Sequence, residues 1–459
     1  MLSESTSAVR RFRVHLRIAS LGAAIAAIAG LALAAGPASA DVSRLPHHFV
    51  WGVSSSGFQS EGHTTNANWN HYIERDNGPN PVGDPKDPYG NSADFFSKYR
   101  GDIKRAAKLG VNTYRISINW TRVEPRPGQF SEKGLRFYDR VIARMEHFGI
   151  EPLITLNHWD YPMWVYRQGG WTNPKTVDDF IAMSKRIVKR YRNETHYWLT
   201  FNEEFFFEFI EQGNYPLDAD GVAAMRANVI DAHRRAYDLI HRLDSDAMVS
   251  SNYAWPGNGP LTSIDRDAFM NAVADKLDYI GVDYYYPAYD QAATLIPLSQ
   301  GTPWVIPVDP FGMYTALRQM HTAFPDLPIL ITENGVATAN TAPRADGVQR
   351  KILLKDTLYW VQRALDDGVP VIGYMYWSLT DNYEWGSYTP RLGLYSVNIR
   401  NDPKLKRHAT PTVKTFRKAI RNRGVSPDYQ LVYRTDADNC QSQSVAEADR
   451  ATCLQEAAP

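Results

Sequence analysis

Short apolar, β-rich runs alternate with longer amphipathic helical patterns along this 459-residue chain. Nearly continuous apolar strands between helices are typical of a parallel sheet covered on both faces. Eight such units predict a closed (β/α)8 barrel, the TIM barrel of the α/β class, in a single large domain. The eight runs begin at Phe49, Thr113, Glu151, His196, Met248, Tyr279, Pro328 and Val371, and helical patterns between them include 92–109, 135–148, 177–191, 221–243 and 347–367.

The first forty residues have a different composition. Several arginines precede an apolar run from Ile18 to Ala35, and the small residues Ala38, Ser39 and Ala40 follow it. This order is typical of a cleavable secretory signal, so we predict a signal peptide at 1–40 and a secreted, periplasmic or extracellular protein. The apolar run is long, which leaves an uncleaved membrane anchor as the alternative.

The last residues also form a segment of their own. We predict that the barrel domain spans residues 41–425 and that a polar C-terminal extension spans 426–459. The extension holds the chain's two cysteines, Cys440 and Cys453. In an exported chain these can form a disulfide, and two free thiols are the alternative.

Composition excludes several classes of partner. Basic and acidic side chains number 50 each, so no strongly basic face indicates a nucleic-acid partner. The histidines are scattered, and no glycine-rich phosphate loop precedes a helical pattern. We therefore expect no metal, no organic cofactor and no membrane contact after signal removal. The sequence does not indicate an oligomeric state.

Polar and aromatic residues cluster at the carboxyl end of the predicted strands. In a TIM barrel these ends converge on one face, where active sites lie. Glu203 and Glu333 follow the fourth and seventh apolar runs, so they would meet there. Gln59, His158, Asn202 and Glu384 could bind hydroxyl groups, and the flat faces of Trp377 and Trp385 could stack on sugar rings, whereas Trp51 and Trp120 are expected in the core.

A pair of carboxylates at one barrel mouth suggests glycoside hydrolysis. In a retaining enzyme the two carboxyl groups lie about 5–5.5 Å apart; one attacks the anomeric carbon and the other protonates the departing oxygen. Two such close carboxylates cannot both ionise cheaply, so one of them keeps its proton to higher pH.

Six stretches, in order, resemble glycoside hydrolase family 1, the β-glucosidase family. They are FVWGVSSSGFQSEG (49–62), YRISINWTRVEP (114–125), GIEPLITLNHWDYP (149–162), YWLTFNE (197–203), ITENG (331–335) and GYMYWSLTDNYEW (373–385). The resemblance spans about residues 49–400 and implies a retaining, exo-acting β-glycosidase that acts through a covalent glycosyl-enzyme.

The resemblance also implies residue roles. Glu203 resembles the acid/base and Glu333 the nucleophile, with Arg115 and Tyr285 as the side chains that pair with the nucleophile. Asn202 resembles the residue that holds the 2-hydroxyl and so supports catalysis. The residues that resemble the remaining sugar-binding set are Gln59, His158, Glu384 and Trp385, with Trp377 as the stacking platform.

Four positions depart from the family pattern. Glu204 replaces a proline and is expected to face away at a helix start; the alternative is that it points inward and raises the pKa of its neighbour. Asp283 stands where asparagine is usual. Leu392 replaces an aromatic residue, and the loop 385–391 is about one residue short. The last two changes leave the choice between glucose and galactose open. We expect unphosphorylated substrates, because a carboxylate at Glu384 would repel a 6-phosphate.

Three alternatives use the same scaffold. A transglycosidase would employ the same two glutamates, with an acceptor other than water. A non-catalytic sugar-binding protein is disfavoured because Glu203, Glu333 and Arg115 are all retained. An endo-acting relative is disfavoured by the complete set of residues that resemble the nonreducing-end contacts.

Overall fold

The computed structural model describes residues 41–74, 87–215, 217–255, 268–287 and 291–433. The signal peptide at 1–40 and the disulfide between Cys440 and Cys453 fall outside these residues. Both stay predictions, which the N-terminal sequence and the free-thiol content of the exported protein would test. Within the described helices, none is long and apolar enough to cross a bilayer.

Eight parallel strands close into a barrel, which confirms the predicted fold class. Each barrel strand pairs with the next barrel strand along the chain, and the last barrel strand pairs with the first. Short two-residue and three-residue strands lie outside the barrel in two small antiparallel pairs. The barrel strands are β1 (Val50–Ser54), β2 (Thr113–Ser117), β3 (Glu151–Asn157), β4 (Tyr197–Asn202), β5 (Met248–Ala254), β6 (Ile280–Tyr284), β7 (Ile329–Asn334) and β9 (Val371–Trp377), and the outer strands are β8 (Thr338–Ala339), β10 (Pro390–Arg391), β11 (Tyr395–Val397) and β12 (Arg407–Ala409).

Helices surround the barrel and follow the predicted segments to within a few residues. The α-helices are α1 (Gly57–Glu61), α2 (Asn68–Glu74), α3 (Phe95–Leu109), α4 (Trp120–Val123), α5 (Glu132–His147), α6 (Met163–Arg167), α7 (Lys175–Tyr191), α8 (Glu204–Asn214), α9 (Ala219–Leu243), α10 (Ala268–Val273), α11 (Ile296–Ser299), α12 (Phe311–Ala323), α13 (Arg350–Asp366) and α14 (Pro411–Asn422). Short 3-10 helices lie at Gly170–Thr172, Ala274–Lys276 and Pro303–Val305, and a π-helical turn lies at Gln291–Leu295.

Helix α5 shows how the sequence pattern produces these elements. Ser131 caps the helix, because its hydroxyl accepts a 3.1 Å hydrogen bond from the free N–H of Gly134. Leu135, Tyr138 and Met145 recur at helical spacing and are buried against the barrel. The apolar stripe and the cap together fix where this helix begins and which face it buries.

The apolar core forms two main layers, because side chains alternate between the faces of each strand. Leu153 and Leu199 belong to a small cluster of residues from different barrel strands. Their neighbours Ile154 and Trp198 belong to the large cluster that also contains the helix residues. The small cluster thus fills the barrel interior; its members are Val50, Leu153, Leu199, Tyr279, Leu330 and Met375.

Strand register brings polar residues together at the carboxyl ends of the strands. Asn202 on β4 lies opposite Asn252 on β5, and Asp283 on β6 lies opposite Glu333 on β7. Both pairings follow a register shift. The barrel therefore places these side chains side by side before any helix or loop contributes.

The start of the predicted C-terminal extension packs against the barrel domain. The Tyr429 hydroxyl donates a 2.7 Å hydrogen bond to one carboxylate oxygen of Asp356, and the Tyr433 N–H donates one of the same length to the other. Residues 426–433 are thus attached to helix α13.

Replacement of Leu330 tests how much the packing of the barrel interior stabilises the fold. This leucine is fully buried in the interior cluster, so Leu330→Ala should lower the free energy of unfolding by about 2–5 kcal/mol through lost packing and an unfilled cavity. The matched control is Val305→Ala, because Val305 is 56% exposed and the change should stay within about 0.5 kcal/mol. Urea unfolding followed by circular dichroism measures both; equal losses would contradict this account of the core.

Candidate active site

Glu333, near the end of β7, is held by two side chains from other parts of the barrel. The Arg115 guanidinium on β2 forms an ion pair with its Oε1. The Tyr285 hydroxyl, just after β6, donates a 2.7 Å hydrogen bond to Oε2. Arg115 is 1% exposed and Glu333 is 4% exposed, so water screens this ion pair little.

The remaining donors of Arg115 are also used. Its Nε donates to the Thr155 hydroxyl at 2.9 Å, and its Nη2 donates to the Asn202 side-chain oxygen. The Asn252 amide nitrogen donates to that same oxygen at 2.8 Å. The guanidinium is therefore fixed by strands β3, β4 and β5 while it holds a carboxylate on β7.

Glu203 lies beside this ion pair, between the end of β4 and the start of α8. Its Oε2 accepts a 3.2 Å hydrogen bond from the Asn202 amide. One oxygen each from Glu203, Asp283 and Glu333 lie within 4.8 Å of one another. These carboxylates are close enough to ligate a cation, and the Arg115 guanidinium already supplies a positive charge to the group.

Their different surroundings give the two glutamates different pKa values. Burial raises the pKa of Glu203 well above its usual value, and the charges of Asp283 and Glu333 raise it further. Burial also raises the pKa of Glu333, but the charge of Arg115 and the Tyr285 hydrogen bond offset part of that rise. Glu203 is therefore the carboxyl group that keeps its proton to higher pH.

A cavity opens above the two glutamates. His158 and Trp377 stack in its wall, with ring centroids 5.6 Å apart and planes 8° from parallel. No lysine or arginine occurs among the described residues that line it. They are Phe58, Gln59, Trp69, His158, Trp159, Glu203, Phe206, Tyr285, Tyr286, Leu298, Pro303, Glu333, Trp377, Tyr383, Glu384, Trp385 and Leu392.

Glu384 is fixed at the rim of this cavity by two neutral donors. The Trp377 indole N–H donates to its Oε1 at 2.8 Å, and the Gln59 amide donates to its Oε2 at 3.0 Å. Burial raises the pKa of Glu384 to about 8. Burial therefore favours the uncharged form of this side chain, which weakens the expectation that its charge repels a phosphate.

A tight turn presents Glu384 and Trp385 to the cavity. Glu384 and Ser387 exchange two backbone hydrogen bonds of 2.9 Å, and Trp385 and Gly386 between them have φ of 50° and 80°. Positive φ at both central positions is the mark of a type I′ turn and favours glycine at the second. Glu203, with φ 41°, and Trp159, with φ 68°, share the left-handed conformation.

Asp87, from a distant part of the chain, stabilises this turn through several hydrogen bonds. Its N–H donates to the Gly386 carbonyl at 2.9 Å, and its carboxylate accepts from the Tyr388 N–H at 2.6 Å and the Ser387 hydroxyl at 3.0 Å. Arg400 donates to the same carboxylate through Nε at 2.8 Å. Burial raises the pKa of Asp87, but the hydrogen bonds from Arg400 and Tyr388 lower it by more, so this pKa stays below its usual value.

The structure places most of the residues expected at the site around one cavity. Asn202 is the exception among the sugar-binding set: it is fully buried beneath the cavity and contacts Arg115 and Glu203. Trp51 and Trp120 lie in the core, as expected.

Two departures from the family pattern differ in outcome. Leu392 lines the cavity and packs against Trp377, at the edge where we expected a change. Glu204 begins helix α8 as expected, but it is buried, and its charge adds to the forces that raise the pKa of Glu203. The charge of Glu204 therefore acts on Glu203, which is the effect that the alternative interpretation predicted.

Several site residues escaped the sequence analysis. Asn252 lies within β5 after Ser250 and Ser251, so its polar side chain did not stand out as the end of an apolar run. Phe206, Leu298 and Pro303 come from helices and loops, where aromatic or apolar residues carry no distinguishing pattern.

Known proteins resemble this chain over most of its length. Beta-glucosidase A of Thermotoga maritima is 26% identical over 433 residues, which covers 80% of this chain and 96% of that protein. A bifunctional beta-D-glucosidase/beta-D-fucosidase of Bifidobacterium breve is 26% identical, with 81% and 97% covered. The 6-phospho-beta-glucosidase GmuD of Bacillus subtilis is 27% identical, with 78% and 94% covered.

A solved structure shows the same fold. The beta-glucosidase from Thermotoga maritima in complex with azafagomine superposes with a TM-score of 0.72 at 24% identity, covering 83% of this chain and all of that chain. The sequence model of glycosyl hydrolase family 1 matches residues 42–292 and 289–425. The chain therefore belongs to glycosyl hydrolase family 1 and is a glycoside hydrolase.

Proposed function

We propose that the protein is a retaining, exo-acting β-glycosidase that releases terminal, unphosphorylated β-D-glucosyl residues, with β-D-galactosyl as the alternative sugar. The observation that carries the proposal is the short separation of Glu203 and Glu333, whose nearest ligand oxygens lie within 4.8 Å. Retaining enzymes place their carboxyl groups about 5–5.5 Å apart, whereas inverting enzymes leave about 6.5–9.5 Å for a water molecule.

In the first step Glu333 attacks the anomeric carbon. Arg115 and Tyr285 favour its ionised form and leave it one defined orientation. Glu203 gives its proton to the departing oxygen, so the leaving group departs as a neutral alcohol and a covalent glycosyl-Glu333 forms.

In the second step water replaces the leaving group. Glu203, now ionised, removes a proton from the water as it attacks the anomeric carbon, and Glu333 is released as a carboxylate. Two inversions at the same carbon give a product of the starting configuration.

The cavity wall suggests how the terminal sugar is held. Gln59, His158 and Glu384 present polar groups, and the faces of Trp377 and Trp385 provide apolar surface for a pyranose ring. Asn202, below them, is positioned to act through Glu203 and Arg115, and its expected contact with a 2-hydroxyl stays a prediction. An unphosphorylated sugar fits this wall because none of its described residues is a lysine or arginine that would neutralise a phosphate.

The stereochemical experiment tests the proposal directly. Proton NMR of fresh reactions with aryl β-glucoside, aryl β-galactoside and aryl β-glucoside 6-phosphate should show the β anomer as the first product. The glucoside should react fastest and the 6-phosphate slowest. First release of the α anomer would contradict retention, and preference for the 6-phosphate would contradict the substrate class.

Variants of the two glutamates should separate their roles. Glu333→Ala should nearly abolish turnover, and added azide should restore part of it as an α-glycosyl azide, because a small anion can occupy the space of the lost nucleophile. Glu203→Ala should slow substrates with poor leaving groups most, since good leaving groups need no proton. The reverse pattern would exchange the two roles; rates and products are measured by chromatography and NMR.

The acid side of the pH–rate profile should respond to Tyr285. Activity requires ionised Glu333, so kcat/KM falls as pH drops through the pKa of that group. The Tyr285 hydrogen bond lowers this pKa, so Tyr285→Phe should move the acid limb of kcat/KM to higher pH. Tyr383→Phe, at another lining tyrosine, is the matched control; an unmoved acid limb in Tyr285→Phe would show that the hydrogen bond does not tune Glu333.

A further inference from the structure

Asp283 is a carboxyl group at the reaction centre that the mechanism above does not use. It lies on β6, opposite Glu333 in the strand register, and is fully buried. Its Oδ1 accepts a hydrogen bond from the Thr332 hydroxyl, and its Oδ2 accepts one from the Asn252 amide. It shares the 4.8 Å cluster with Glu203 and Glu333, and its charge raises the pKa of Glu203. Burial and the charge of Glu333 in turn raise the pKa of Asp283 well above its usual value, so the ionisations of the three groups depend on one another.

The cluster of Glu203, Asp283 and Glu333 has more carboxyl groups than there are positive charges in contact with it in the described part of the chain. Arg115 is the guanidinium that contacts it, and it pairs with Glu333. His158 is neutral, because burial and the charge of Arg115 hold its pKa well below the usual value. Tyr285 is also neutral, since burial and the charge of Glu333 raise its pKa.

The other titratable groups near this cluster, Glu204 and Glu384, are acidic. Glu204 adds a carboxyl group from the start of α8, and Glu384 lies at the opposite rim with a pKa raised by burial to about 8. Among the described residues, then, a single guanidinium faces three clustered carboxyl groups. Arg115 compensates the charge of one carboxylate, and each further ionisation in this buried site costs Coulomb energy.

We propose that Asp283 is a positioning residue for the acid/base proton: its carboxyl group, next to Glu203 and Glu333, makes loss of the Glu203 proton more costly and keeps Glu203 in its acid form at more alkaline pH. This inference rests on the proposed roles of Glu203 and Glu333. It assigns to Asp283 an electrostatic task in addition to its contacts with Thr332 and Asn252.

The hydrogen bonds around Asp283 are compatible with either protonation state. The Thr332 hydroxyl can accept as well as donate, so a protonated Asp283 can donate to it from Oδ1 without losing the contact. As pH rises, Glu203 and Asp283 lose protons as a coupled pair, and the first loss makes the second harder. After burial, the charge of Asp283 is the largest cause that raises the pKa of Glu203.

Asp283→Asn removes the charge and can keep both contacts. The asparagine oxygen can accept from Asn252, and its NH2 group can donate to the Thr332 hydroxyl. The alkaline limb of kcat/KM, measured with an aryl β-glycoside that has a poor leaving group, should move down by about one pH unit or more, which is about a tenfold loss above the limb. Asp283→Ser, a second uncharged side chain, should shift the limb in the same direction and serves if the asparagine variant does not fold.

Two comparisons separate this effect from a structural one. Thr332→Val removes a hydroxyl contact that lowers the pKa of Asp283 but leaves the carboxyl group in place, so it should lower the alkaline limb much less than Asp283→Asn does. In a Glu203→Ala background, assayed with a good leaving group, Asp283→Asn should leave the alkaline side of the pH profile of kcat/KM unmoved, because Glu203, the group assigned to that side, is absent.

The outcomes are distinguishable from those that test the function. An alkaline limb that stays in place or rises in Asp283→Asn, while Glu203→Ala still selectively slows poor leaving groups, would overturn the role of Asp283 alone. An equal downward shift in Thr332→Val would also overturn it, because packing would then explain the effect. If Glu203→Ala slows good and poor leaving groups alike, both the acid/base assignment and this inference fail.

Discussion

The buried ion pair between Arg115 and Glu333 is the interaction on which the rest of the site depends. Taking two charges out of water is costly, and their attraction repays that cost only when their other hydrogen-bonding groups are also satisfied. Here Thr155, Asn202 and Asn252 accept from the guanidinium, and Tyr285 donates to the carboxylate. The pair therefore requires a complete barrel, because its partners come from β3, β4, β5 and the segment after β6.

The same pair explains how two chemically identical side chains acquire different tasks. Glu333 contacts a fixed cation, which favours its carboxylate form, whereas Glu203 receives a hydrogen bond from the neutral amide of Asn202. Burial acts on both glutamates, but among the described groups only Glu333 has a group of opposite charge, Arg115, in direct contact. In the proposed mechanism this asymmetry makes Glu333 the nucleophile and Glu203 the proton donor, with ligand oxygens within 4.8 Å of each other.

Strand and helix periodicity were enough to predict the barrel, since each run alternates with a helical pattern and polar residues mark the strand ends. Glu203 and Glu333 could be placed at one mouth for that reason, whereas Arg115 was assigned only through the resemblance to the family. The hydrogen bonds between Asp87 and the turn at 384–387 could not be predicted. They join residues about 300 positions apart through a loop conformation that leaves no periodic signal in the sequence. Burial of Glu204 and Asn202 was likewise set by tertiary packing, which the local sequence does not specify.

The central claim is that Glu333 forms the bond to the sugar carbon. A 2-deoxy-2-fluoro glycoside with a good leaving group slows both steps, and the good leaving group lets the covalent intermediate accumulate. Peptide mass mapping of the inactivated protein should then place one glycosyl group on Glu333. A label on Glu203 or Asp283, or full turnover without any trapped adduct, would contradict the account.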